Sequence, residues 1–155
     1  MHGFFQAALV SALSILPAFG FAQTVLSVTN SDVTTTYTLE ELLEMPQTTV
    51  VTRNDYVDGP TTFRGPSLRS ILTETEIPRD ATLHMVALND FMAELPAEDA
   101  FAYDVILAVL RDGEKMSVRD KGPIWVIYPM DDDPELTDDL YNGRLIWQLK
   151  SISAK

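Results

Sequence analysis

Cysteine is absent from all 155 residues. That excludes disulfides, thiolate metal sites, a Cys nucleophile and a lipid-modified N-terminal Cys. Histidine is nearly as scarce, with only His2 and His84. A zinc or other transition-metal centre is therefore left without its usual ligands. A nucleophilic triad needs an imidazole beside its hydroxyl. His84 is the one His beyond the N-terminal stretch, and it sits inside "TLHMVAL", which reads as a strand. Alternation places it opposite Leu83, Met85 and Ala87, which favours a hydrogen-bonded structural role. Basic residues are also few. Eleven Lys and Arg face 23 Asp and Glu, for a net charge of -12. So acidic a surface repels phosphate backbones and anionic lipid heads, which excludes nucleic acid as a partner. No internal repeat or long low-complexity tract is present.

What is there suffices for a core. Hydrophobic residues make up 46% of the chain, and the length suits one domain. The opening "MHGFFQAALVSALSILPAFGFAQ" is apolar and free of acids. Phe4 to Leu16 form a hydrophobic region, Pro17 breaks it, and Gly20-Phe21-Ala22 supply a small-x-small cleavage signal. We read residues 1–22 as a general secretory signal peptide. Residues 23–155 are then a single domain, periplasmic or secreted, with no stable membrane insertion once the leader is removed. The leader carries no Lys or Arg, and that leaves open a misplaced start or an uncleaved anchor. An apolar span of about 20 residues just crosses a bilayer.

Along the rest of the chain, "TVLSVTN" and "VTTTYTL" read as strands around Ser31-Asp32. Thr38 to Glu41 fits a capping box for the short helix "LEELLE", stopped by Pro46. "TTVVT" is a strand that enters a polar loop. Pro66 suits the first turn of a helix running to about Thr75. "TLHMVAL" and "FMAELP" form a hairpin about Asn89-Asp90, and "AEDAFAY" a helical turn. "VILAVLRDG" and "IWVIYP" are buried strands, the first ending in the turn signal Asp112-Gly113. "RLIWQLKSISA" closes the chain as a strand. The expected class is α+β, mainly mixed β-sheet with short inserted helices.

Two constellations bear on chemistry. The run "MDDDPELTDD" holds six acids between Asp131 and Asp139, but it lacks the alternating ligands and central Gly of a calcium loop. A solvated connection is expected. The second is the scarce cations. Arg53, Arg119, Lys121 and Arg144 each lie in a probable connection, three of them directly beside Gly or Asn. Two readings stand: they converge on a small anion, which Arg recognises at two points, or they neutralise neighbours such as Asp55 and Asp120.

From Val50 to Ser153 the motifs follow a familiar order. Phe63 and Gly65 precede a Leu-rich helix, and Pro96 stands with Glu98 and Asp99. "DVILAVLRDG" covers Asp104 to Gly113, "GPIWVIYP" covers Gly122 to Pro129, and Trp147 is followed by Lys150 and Ile152. This pattern resembles the oxidoreductase molybdopterin-binding domain, the sulfite oxidase-like fold. The resemblance implies that fold and, in catalytic members, a molybdenum held by a Cys thiolate in the loop before the aromatic-x-Gly. Here "TRNDY" occupies that loop, with Thr52 nearest the Cys position. A hydroxyl is a hard donor and does not replace a soft thiolate. The resemblance also implies that exported holoenzymes travel folded behind a twin-arginine signal, and residues 1–22 contain no Arg.

The expectation is therefore a cofactor-free binding or accessory module. Its ligand site is expected at Thr52, Arg53, Asn54, Tyr56, Asn89, Asp90, Arg119, Lys121, Tyr128 and Arg144. The arginines would supply charged donors, Asn54 and Asn89 orientation, and Tyr56 and Tyr128 walls. Trp125 and Trp147 are expected in the core. The partner would be a small anionic ligand or a periplasmic or membrane sensor protein. The alternatives are a molybdopterin-dependent oxidoreductase that binds its cofactor without the Cys, and an interaction protein working through its acidic surface.

Overall fold

The computed structural model describes residues 20 and 22–155. The leader expected at residues 1–22 lies, apart from 20 and 22, outside the described residues. Three sheets carry the fold. β1 (Thr24–Asn30) and β2 (Val33–Thr38) form the first hairpin, turning at Ser31 with φ 52°. They join β5 (Thr82–Ala87), β6 (Met92–Pro96) and β11 (Leu149–Ala154) in a five-stranded sheet of order β2-β1-β11-β5-β6. Only β1 and β11 run parallel, so the sheet is mixed. β3 (Gln47–Thr52), β4 (Thr61–Pro66), β8 (Leu110–Arg111) and β9 (Glu114–Lys115) form a second sheet. β7 (Ile106–Ala108) and β10 (Trp125–Ile127) pair as a third. The helices are short: α1 (Leu39–Glu44), α2 (Leu68–Glu74), α3 (Asp99–Ala102) and α4 (Asp139–Asn142). The class is α+β, as expected. No described helix is long and apolar enough to cross a membrane.

The near-continuous apolar runs of β7 and β10 have a simple cause, since both strands are covered on both faces. Ile106, Ala108, Trp125 and Ile127 point into a small cluster with Val50, Phe63 and Met116. The alternate residues Leu107, Val109, Val126 and Tyr128 point into the main core. There they meet Leu68, Ile71 and Leu72 of α2 and the inner face of the large sheet, Leu26, Val28, Leu83, Met85 and Ile152. Fully burying one such side chain is worth about 1.5–3 kcal/mol.

Local signals produce α1 as expected. Thr38 Oγ1 accepts from the Glu41 amide at 3.2 Å, and Glu41 Oε2 accepts from the Thr38 amide at 2.8 Å. Thr38→Ala leaves those first-turn donors to water, so it should cost about 1 kcal/mol. A lower urea midpoint at unchanged slope would register that loss.

Several expectations need correction. Thr61–Pro66 is a strand, not the end of a polar loop, and Pro66 closes it. Ser67 caps α2 through its side chain, which accepts from the Ser70 amide. The closing strand begins only at Leu149, because Gln148 sits at φ 53° and breaks the extended run. The "VILAVLRDG" segment is two strands, β7 and β8. The acidic run is not all loop: a 3-10 turn spans Pro134–Thr137, burying Leu136, and α4 follows it. His84 is buried despite its place in the alternation, and its Nδ1 lies 2.9 Å from Glu94 Oε1, which fits the structural role.

Candidate functional site

The loop after β3 is held on two sides. Thr52 is buried, and its hydroxyl donates to the Arg53 carbonyl at 2.9 Å and accepts from the Asp131 amide at 3.1 Å. Asp131 returns the contact: its Oδ2 accepts from the Arg53 amide at 3.1 Å and from Arg53 Nη1 at 3.2 Å. Asn54 Oδ1 takes the Tyr56 amide at 2.8 Å, which tightens the turn. On the far side the Asn142 amide donates to Asp55. The loop is thereby tied to the segment after β10 and to the end of α4.

That tether presents Tyr56 to Trp147, edge-on at 4.9 Å between ring centroids. Together with Asn89, Phe91 and Asn142 they line an apolar cleft of about 140 Å³, floored by Leu145 and Ile146. Its wall leaves a large apolar side chain in water, since Phe91 is 56% exposed, and the next residue, Met92, is 61% exposed. Exposed apolar residues gathered beside a concave surface are what an interaction site displays. A second hollow, about 310 Å³, adjoins the first through Asn142. It is more polar than the cleft, with Arg53, Asn54, Asp55 and Asp131 on its walls beside Met130 and Leu136. Asn54 Nδ2 and Asn142 Oδ1 are both buried without a hydrogen-bond partner.

The structure brings Thr52, Arg53, Asn54, Tyr56 and Asn89 of the expected site into this region. It does not gather the four cations. Arg53 is paired with Asp131. Arg144 turns inward, where Asp99 Oδ2 accepts both Arg144 Nη1 at 2.6 Å and the Tyr128 hydroxyl at 2.7 Å. Tyr128 is wholly buried and walls no open pocket. Burial first, and then the Asp99 carboxylate, push its phenol well above the usual Tyr range. Lys121 holds its ammonium over the Trp147 and Trp125 rings, 5.2 and 5.6 Å from their centroids. Arg119 is exposed on a 3-10 turn, Val118–Asp120. Asp90 is exposed and bonded to Lys150 at 2.6 Å, which holds its carboxyl below the usual range. Neither hollow is lined by two of the four cations, so an anion pocket built on converging arginines has no place here.

Sequence reading missed Phe91, Asn142 and Trp147. Trp125 is in the core as expected, but Trp147 is only half-buried and walls the cleft. A signal for Phe91 was available, since an aromatic directly after an Asn-Asp turn has little chance of full burial.

No protein-family model matches the chain, and no curated protein matches it. Among solved structures the fold is similar to that of the sulfane dehydrogenase SoxCD from Paracoccus pantotrophus. The TM-score is 0.62 at 17% identity, covering 83% of this chain and 37% of that one. At that identity the likeness is one of fold alone, and this chain spans well under half the length of its neighbour.

Proposed function

We propose that the chain is an exported binding or accessory module on a sulfite oxidase-like scaffold, working without a molybdenum cofactor. Its partner would be a small ligand or a protein such as the outer domain of a membrane sensor. The fold likeness to a sulfane dehydrogenase supports the scaffold. The observation that carries the reading is Thr52. Where the resemblance calls for a metal thiolate, a buried hydroxyl has both its bonds made to the main chain of Arg53 and Asp131. The hollow beside it sets two carboxylates, Asp55 and Asp131, against one guanidinium. Among the described residues no group of His, Cys, Asp and Glu is placed to hold a metal. Such a lining does not fit an anionic pterin phosphate or a soft metal.

The test is direct. The protein produced in a molybdenum-replete host should carry far less than one molybdenum per chain by mass spectrometry. It should also release no fluorescent pterin on oxidation. Stoichiometric molybdenum with pterin would overturn the reading in favour of an oxidoreductase.

A further inference from the structure

We propose that the apolar cleft and the more polar hollow beside it form one groove. It docks a segment of a partner protein that carries an aromatic or branched apolar side chain next to a Lys or Arg. This inference rests on the binding-module reading and names its partner by chemistry.

Three observations support it. First, the size fits a single anchor. An apolar cavity of about 150 Å³ holds a benzene ring, and the cleft is about 140 Å³ with Tyr56, Phe91 and Trp147 for walls. Aromatic walls around one inserted side chain are the usual make-up of an energetic centre in an interface. Second, Asn142 lines both hollows, so a chain anchored in the cleft has the second hollow directly beside it. Third, the second hollow favours a cation. Asp55 and Asp131 line it against Arg53 alone, and the exposed Asp138 and Asp139 begin the helix that carries Asn142.

The same charges argue against a second copy of this chain as the occupant. At -12 per chain, pairing acidic rim with acidic rim opposes association. A basic segment gains what a like copy loses.

Nuclear magnetic resonance titration of the labelled domain tests this with three capped tetrapeptides: acetyl-Gly-Phe-Lys-Gly-amide, its Glu analogue in place of Lys, and its Ala analogue in place of Phe. The Phe-Lys peptide should give saturable shifts at Tyr56, Asn89 and the Trp147 indole, and both analogues should bind about tenfold more weakly. Phe91→Ser, at a side chain mostly in water, should weaken the Phe-Lys peptide about tenfold with the fold intact. Asp55→Asn should erase most of the preference for Lys over Glu, and high salt should do the same. Equal binding of the Lys and Glu peptides, shifts confined to other surfaces, or no saturable shift for the Phe-Lys peptide would overturn the proposal. Because molybdenum content is measured separately, a failed titration on a molybdenum-free protein removes this occupant and leaves the cofactor-free scaffold reading in place.

Discussion

Gly65→Ala should unfold or severely destabilise the domain, whereas Gly59→Ala, six residues earlier, should change stability by no more than about 0.5 kcal/mol. A Cβ on Gly65 would stand 1.9 Å from the Leu107 carbonyl oxygen and 3.0 Å from the Ala108 Cα. Both are main-chain atoms, so no rotamer change relieves the overlap. Here β4 runs hard against the chain of β7. The Val109 amide donates to the Arg64 carbonyl and the Leu68 amide to the Val105 carbonyl, each at 2.9 Å. Moving β4 away would open both bonds and the seam between the two clusters. Overpacking in a core costs about 1–3 kcal/mol when side chains can adjust. A backbone collision belongs at or above the top of that range, against a total stability of about 5–15 kcal/mol. Gly59 has nothing within 4 Å of the equivalent position. Gly122 should behave like Gly65, since its Cβ would meet the Met116 carbonyl oxygen at 1.9 Å. Thermal and urea unfolding followed by circular dichroism measures all three. Equal stability of the Gly65 and Gly59 variants would disprove the close approach.

Gly65 also shows why part of the fold was legible and part was not. As sequence, Phe63-Arg64-Gly65-Pro66 looked like the end of a loop, because Gly and Pro punctuate loops. Yet Thr61, Phe63 and Gly65 are buried while Thr62 and Arg64 are exposed, a period-2 pattern that reads as a strand once Gly65 counts as an inward residue. The glycine is there for space, and space is set by Leu107, some forty residues away. Elements whose causes are local were read well. The capping box of α1 and the turns at Ser31, Asp90 and Asp112 each carry their signal within four residues. The candidate site divides the same way. Tyr56 and Asn89 were found in their own loops, but the cleft exists only because loops near 56, 90 and 145 meet, and no local pattern announces that. The cations misled for an electrostatic reason. With 23 acids and 11 bases, Arg53 and Arg144 each find a carboxylate of their own, while Lys121 settles over the Trp125 and Trp147 rings.

That contrast makes the second large effect specific. Asp99→Ala should cost about 3–5 kcal/mol, and Arg53→Ala no more than about 1 kcal/mol, although Arg53 and Arg144 read alike in the sequence. The Arg53–Asp131 pair stands in solvent, with side-chain exposures of 63% and 35%, where water screens most of its attraction. The Asp99–Arg144 pair is inside, at 9% and 15%. Removing Asp99 strands a buried guanidinium, whose Nε already lacks a partner. It also orphans the Tyr128 hydroxyl, 2.7 Å from the lost carboxylate. The Tyr141 ring, 5.0 Å from the guanidinium carbon, remains but does not replace a carboxylate. Arg144→Ala should cost a similar amount by stranding the carboxylate instead. The double variant Asp99→Ala/Arg144→Ala should lose less than the sum of the two, by about 1–3 kcal/mol, because it leaves no unpaired charge. Asp99→Asn separates charge from shape: it keeps a hydrogen bond for Tyr128 and should fall between wild type and Asp99→Ala. Unfolding free energies for the four proteins close this cycle. Strict additivity would mean that Arg144 is free of Asp99, and it would return Arg144 to the pool of cations available to a ligand.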